Sequence, residues 1–200
     1  YVRSAEPLDL TATDAFGRMD RSTLNISLAS QPWGSPPSTS SILSLFTITS
    51  TDGDRSLRVQ GVFPSLAEGR YAASAQVRDL AQNAALPSPL TITFEVDHTP
   101  PAIAFNVVDG LLTRVSSLDL TVSVLDRSPT TTTVHLNGER INEYSGQENT
   151  LSVSLVENLN TILVQSVDAA GNISEEKVLT VYLDTTPPTL SSIVPANEAV

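Results

Sequence analysis

Apolar and polar residues alternate along most of this chain with a period of two. In the clearest run, Tyr71, Ala73, Ala75 and Val77 alternate with polar or small neighbours. A period of two is typical of β-strands with one buried face, and no stripe with the 3.6-residue period of a helix competes with it. The pattern predicts strands at 8–12, 23–29, 45–49, 56–63, 70–78, 90–96, 102–107, 118–125, 132–136, 150–156, 162–166 and 178–183.

Three short motifs recur in the same order, and the two Asp-containing turn and linker motifs recur 89 and 87 residues apart. They are Leu-Asp-Leu-Thr at 8–11 and 118–121, Asp-x-x-x-Asn at 79–83 and 168–172, and Asp-x-Thr-Pro-Pro at 97–101 and 184–188. Turn residues separate the short strands at intervals of roughly ten residues, which is typical of a β-sandwich. The repeat therefore predicts two sandwich domains of similar design.

The positions of these motifs predict the domain boundaries. We expect a first domain at 1–98, a complete second domain at 99–185, and the first strand of a further domain at 186–200. The first domain has few residues before its Leu-Asp-Leu-Thr motif, so we expect its opening strand to be truncated. It is also about 20 residues longer in the middle, which predicts an insertion at 30–55.

The combination of a strand, Asp-x-Ala-Gly-Asn, a second strand and Asp-x-Thr-Pro-Pro resembles the bacterial immunoglobulin-like domains of large surface or secreted proteins. This resemblance implies an all-β fold of tandem immunoglobulin-like β-sandwiches joined by short Pro-rich linkers. Gln82 departs from the pattern, because the family has Gly there. The spacing from Gly69 to Tyr71 resembles a tyrosine corner, and Asn160 takes the equivalent place in the second domain.

Composition narrows the choice of partners. The 200 residues carry a net charge of −11, which argues against binding to nucleic acid or to an anionic membrane surface. A membrane-spanning helix needs about 20 consecutive apolar residues, and no apolar run in this sequence is nearly that long, so we expect no membrane insertion. The absence of cysteine excludes a disulfide framework and favours a bacterial or archaeal surface protein, or a cytosolic one.

Four acidic or amide side chains form the candidate metal site. In immunoglobulin-like topology, the loop between the second and third strands and the loop between the last two strands lie at the end where the chain enters. This arrangement brings together Asp97, Asp126, Asp168 and Asn172. Oxygen ligands of this kind suit Ca²⁺, so one interpretation is an interdomain Ca²⁺ site.

The other interpretation of the same motif requires no ligand. Asp168 can accept a backbone N–H within its own turn, Gly171 can take a positive φ, and Asn172 tolerates a left-handed conformation. Both interpretations remain open at this point.

Trp33, the only tryptophan, lies in a Pro-rich loop of the predicted insertion. It could stack on a sugar ring, or it could fold back over the edge of the sandwich.

We recognise no catalytic motif and predict no enzyme. The leading hypothesis is a structural spacer of an extracellular or cell-surface protein of the adhesin or surface-layer type. Its partners would be neighbouring immunoglobulin-like domains, a cell-surface protein or a glycan. The alternative is an accessory, carbohydrate-binding domain of a secreted glycan-active enzyme.

Overall fold

Fifteen β-strands account for almost all regular structure in the computed structural model, which describes residues 1–2 and 7–191. A single 3₁₀ turn at Leu43–Leu45 is the helical exception within those residues, and they contain no helix that could cross a membrane. The strands are β1 (Leu8–Thr13), β2 (Met19–Pro32), β3 (Ser38–Ser41), β4 (Phe46–Thr51), β5 (Ser56–Gly61), β6 (Gly69–Asp79), β7 (Leu90–Val96), β8 (Ala102–Phe105), β9 (Leu111–Thr113), β10 (Ser117–Leu125), β11 (Thr130–Leu136), β12 (Glu139–Ser145), β13 (Glu148–Ser154), β14 (Asn158–Asp168) and β15 (Lys177–Leu183).

The chain folds into two compact units. The first consists of Tyr1–Pro101 together with the loop segments Asp126–Pro129 and Val167–Ile173. The second consists of Ala102–Leu125, Thr130–Ser166 and Ser174–Val200.

Strands β1 to β7 form two antiparallel sheets, in the orders β1-β5-β4 and β3-β2-β6-β7. Aliphatic side chains fill the space between them, and aromatic pairs such as Phe46–Phe63 and Tyr71–Phe94 close the core. The buried apolar residues are Met19, Leu24, Ile26, Leu28, Ile42, Phe46, Leu57, Val59, Phe63, Tyr71, Ala73, Val77 and Val96.

Strands β8 to β15 form the sheets β13-β10-β8 and β12-β11-β14-β15-β9. All pairs recorded there are antiparallel except β9, which runs parallel to β15. Their core is wholly aliphatic: Leu120, Val122, Val124, Val134, Val153, Leu155, Ile162, Val164, Leu179, Val181 and Leu183 are buried. Both strand orders match an immunoglobulin-like β-sandwich, so the predicted all-β fold is confirmed.

The alternation in β14 shows how the sequence produces this packing. Asn160, Ile162, Val164, Ser166 and Asp168 all point inwards and are buried, as period-two spacing requires. The three polar side chains of this row, Asn160, Ser166 and Asp168, make hydrogen bonds, so they do not interrupt the apolar packing.

An additional strand distinguishes the first sandwich. In the second, β12 passes directly into β13 through a two-residue turn at 146–147. In the first, the corresponding segment contains β3, the 3₁₀ turn and β4, and β4 pairs with β5 over six residues. The longer middle region thus adds an edge strand to the sheet β1-β5-β4.

The corner before β6 is fixed by the Tyr71 hydroxyl, which donates to the carbonyl of Ala67 at 2.8 Å. At the equivalent corner before β14, the fully buried amide of Asn160 accepts from the Val156 N–H at 2.9 Å and donates to the Val156 carbonyl at 2.7 Å. The two domains therefore fix the same corner with different chemistry.

Two predictions from the sequence fall on residues other than 1–2 and 7–191. The predicted first strand of a further domain, at 186–200, falls mainly on residues 192–200, which lie outside the described residues. The predicted truncation of the opening strand concerns a segment in which residues 3–6 are likewise not described.

Gln82 gives the first testable consequence of the fold. Its φ is +68°, in the region that disfavours side chains, whereas the equivalent turn of the second domain has Gly171 at φ +84°. We expect Gln82→Gly to raise the free energy of unfolding by roughly 0.5 kcal/mol, because relief of the left-handed strain exceeds the entropic cost of glycine. Urea unfolding followed by the fluorescence of Trp33, which lies in the first unit, measures this directly.

Gln82→Ala is the matched control, because alanine keeps the Cβ and therefore the strain. A stabilisation by Ala equal to that by Gly, or none by Gly, would show that the backbone conformation is not the cause.

Candidate functional site

The turn after β14 holds the first carboxylate of the site. Asp168 accepts the backbone N–H of Asn172 at 2.7 Å through Oδ1, and Asn172 Nδ2 donates to Oδ2 at 2.7 Å. The turn closes with a bond from the Gly171 N–H to the Asp168 carbonyl at 3.1 Å. The predicted acceptor role of Asp168 and the positive φ of Gly171 are confirmed, whereas Asn172 itself has no positive φ.

The second carboxylate, that of Asp97, directly follows β7 and is 1% exposed. Its Oδ1 accepts the N–H of Thr99 at 3.1 Å, and its backbone carbonyl accepts Asn172 Nδ2 at 3.0 Å. Its other carboxylate oxygen, Oδ2, is buried and has no hydrogen-bond partner. A buried carboxylate oxygen without a partner costs folding free energy, so this atom calls for an explanation.

The third carboxylate follows β10. Asp126 Oδ1 accepts both the N–H of Ser128 at 2.7 Å and its hydroxyl at 2.9 Å. Ser128 is itself buried, which holds the short loop and its carboxylate in one conformation.

The fold therefore brings Asp97, Asp126 and Asp168 together, with one oxygen atom from each lying within 4.8 Å of the others. In each of them, a backbone N–H fixes one carboxylate oxygen. All three lie in the first compact unit, since that unit includes the loops 126–129 and 167–173. The result is a preorganised group of acidic side chains in one compact unit.

Burial is the main cause that raises the pKa of Asp97 above its usual value, and the negative charges of Asp126 and Asp168 raise it further. The N–H of Thr99 and the Ser128 hydroxyl act in the opposite direction. A raised pKa means that keeping Asp97 ionised at neutral pH opposes folding. The cluster is thus costly unless something positive compensates it.

The amide of Asn172 faces this cluster with its nitrogen, because Nδ2 donates to both Asp97 and Asp168. These contacts support a positioning role for Asn172, in which it joins the turn after β14 to the end of β7. Its predicted role as a direct metal ligand stays a prediction.

Trp33, the candidate sugar-binding residue, follows β2 directly. Its ring is half-buried, and the guanidinium carbon of Arg127 lies 4.3 Å from the ring centroid. This cation–π contact covers one face of the ring. The sugar-binding role of Trp33 therefore remains a prediction that only the opposite face could fulfil.

Two residues near the cluster were not predicted from the sequence. Ser128 fixes Asp126, and Glu68 accepts the N–H of His98 at 3.1 Å and the hydroxyl of Thr99. The sequence contains one signal for Glu68, which is that Glu157 stands in the corresponding place of the second domain. A glutamate shortly before the sixth strand has no chemical motif of its own, however, and the alternation pattern does not select it.

Comparison with models of known protein families and with curated proteins gives no match. Among solved structures, the chain is similar to fibronectin(III)-like modules of Clostridium thermocellum CbhA, with 10% identity, 96% of this chain and 94% of that chain covered, and a TM-score of 0.43. It is also similar to the titin Ig tandem domains A164-A165, with 14% identity, coverage of 92% and 91%, and a TM-score of 0.34. The strand order of the two pairs of sheets defines the fold.

The buried position of Asn172 yields a second prediction. Asn172→Ala removes the donor to the buried Asp97 carbonyl and should lower the free energy of unfolding by about 2 kcal/mol. Asn83→Ala is the matched control, because Asn83 makes the same two bonds to Asp79 but is exposed.

Urea unfolding followed by Trp33 fluorescence compares the two variants. An equal loss of stability in both would mean that the bond from Asn172 to Asp97 contributes nothing beyond the local turn.

Proposed function

We propose that this chain is a non-catalytic structural spacer of a multidomain bacterial surface or secreted protein. The observation that carries the proposal is a repeated contact, which we call the exit latch. In each domain, a glutamate just before the second-to-last strand (Glu68 before β6, Glu157 before β14) accepts hydrogen bonds from the segment that follows the last strand.

The first exit latch consists of Glu68 with His98 and Thr99. The Glu68 carboxylate accepts the His98 N–H and the Thr99 hydroxyl, and Asp97 accepts the Thr99 N–H. The hydrogen bond from Thr99 is the main cause that lowers the pKa of Glu68, so the latch keeps its charge at neutral pH.

The second exit latch repeats this arrangement with Glu157, Thr185 and Thr186. Glu157 accepts the Thr185 N–H at 3.1 Å and its hydroxyl at 2.9 Å, while Asp184 accepts the Thr186 N–H at 3.0 Å. Both latches use a glutamate, an aspartate and a threonine in the same places, whereas His98 of the first latch is replaced by Thr185 in the second.

Each latch is followed at once by two prolines, at 100–101 and 187–188. Proline fixes φ and biases the preceding residue towards extended conformations, so the chain leaves each sandwich in a restricted direction. Control of the exit direction is what a spacer requires, and it serves no catalytic step. This supports a role in holding other parts of a longer protein apart.

We place this spacer outside the cell, on a surface protein of the adhesin or surface-layer type. The acidic net charge of −11 keeps an extended array soluble, and the hydrophobic cores make each domain independent of disulfides. Its partners would be neighbouring domains of the same chain and, through them, a cell-surface protein or a glycan.

The latch can be tested in the whole chain by amide hydrogen exchange. Glu68→Ala removes the acceptor for His98 and Thr99, and we expect the amide of His98 to exchange about tenfold faster. The amide of Thr185 should be unchanged. Glu157→Ala should give the reverse result, so each variant is the control for the other.

Unchanged exchange at His98 in Glu68→Ala, and at Thr185 in Glu157→Ala, would contradict the latch and with it the proposed basis of the spacer.

A further inference from the structure

We propose that Asp97, Asp126 and Asp168 bind one Ca²⁺ ion within the first compact unit. This inference goes beyond the spacer function and does not depend on the exit latch. Two independent observations support it: the distances between the carboxylates, and the state of one buried oxygen atom.

The distances fit a single calcium ion. One oxygen of each carboxylate lies within 4.8 Å of the other two. Ca²⁺ binds oxygen at about 2.3–2.6 Å, so two ligands on opposite sides of the ion are about 4.8 Å apart. One ion placed among the three carboxylates can therefore contact all of them without a rearrangement of the backbone.

The second observation is Asp97 Oδ2. The side chain is 1% exposed, and this oxygen has no hydrogen-bond partner although Oδ1 is bound by Thr99. Neither Asp97 nor Asp168 takes part in a salt bridge within residues 1–2 and 7–191. A buried charge normally has a partner or coordinates a metal, and here a cation would supply the missing partner.

The basic residue nearest in sequence has a different contact. Arg127 follows Asp126 directly, but its guanidinium lies over the ring of Trp33. The cation–π contact thus draws this positive charge to the indole ring. Arg127 therefore contacts Trp33, and a small cation is the counter-charge that fits among the three carboxylates.

The type of ligand favours Ca²⁺ over Mg²⁺. Mg²⁺ requires near-octahedral ligands at about 2.0–2.1 Å and gives up its bound water reluctantly, whereas Ca²⁺ accepts several carboxylates in a flexible geometry. The backbone N–H bonds that fix one oxygen of each carboxylate limit adjustment to a strict octahedron. Water and carbonyl oxygens would complete the coordination shell of six to eight that Ca²⁺ accepts.

Calorimetric titration of the 200-residue chain with CaCl₂, after treatment with chelator, tests the site. We expect one Ca²⁺ per chain and a rise of at least about 5 °C in the melting temperature reported by Trp33. Titration with MgCl₂ should give binding at least about tenfold weaker.

Asp97→Asn is the decisive variant, because it removes a charge and keeps the shape. We expect it to weaken Ca²⁺ binding at least about tenfold, and Asp126→Asn to do the same. In chelator, Asp97→Asn should melt at a higher temperature than the wild type, because one of three repelling charges is gone. A carboxylate with a purely structural role would give the opposite sign.

Asp79→Asn is the matched control. Asp79 makes the same turn with Asn83, yet it belongs to no group of three carboxylates that the described residues bring together. Its Ca²⁺ affinity should equal that of the wild type. The proposal is overturned if Ca²⁺ causes neither heat nor a melting shift at millimolar concentration, or if Asp97→Asn and Asp126→Asn bind Ca²⁺ like Asp79→Asn.

Discussion

The amide group of Asn172 is the contact on which the arrangement of the acidic side chains depends. Its nitrogen donates at once to the carboxylate of Asp168 and to the backbone carbonyl of Asp97. Through it, a turn that closes on itself becomes tied to the end of β7, more than seventy residues earlier in the chain. Because the amide is buried, no water can replace it. The carboxylates are therefore held close together despite their mutual repulsion.

This constraint separates two turns that look alike in the sequence. The Asp-x-x-x-Asn motif at 79–83 makes the same local bonds as the one at 168–172, at nearly the same distances. Among the described residues, only the second belongs to a group of three carboxylates, because Asp97 and Asp126 reach it from distant parts of the chain. The motif alone specifies a stable turn, and its surroundings decide whether it contributes to a site.

The sequence predicted the long buried strands well, and it failed at the edges of the sheets. The alternation that marks β6, β10 and β14 comes from burial of one face. The edge strands β3 and β12 have the sequences STSS and ERINEYS, in which most side chains are exposed. They are strands because their backbones pair with a neighbour, which leaves little apolar pattern to detect. The three-residue β9 is too short to show any period.

The candidate site was predictable in part. Topology placed three loops at one end of a sandwich, and the acidic residue in each was visible in the sequence. The buried and unpartnered oxygen of Asp97 was not, because burial depends on the packing of Ser128 and Asn172 around it. The contact between Arg127 and Trp33 was equally hidden, since cation–π pairs have no sequence spacing.

Hydrogen exchange of the whole chain, with and without Ca²⁺, tests most directly whether the carboxylates act as one cation site. If they do, Ca²⁺ will slow exchange in both loop segments, Asp126–Pro129 and Val167–Ile173, and will leave the Asp79–Asn83 turn unchanged. Equal exchange in all three places with chelator and with saturating Ca²⁺ would contradict the account.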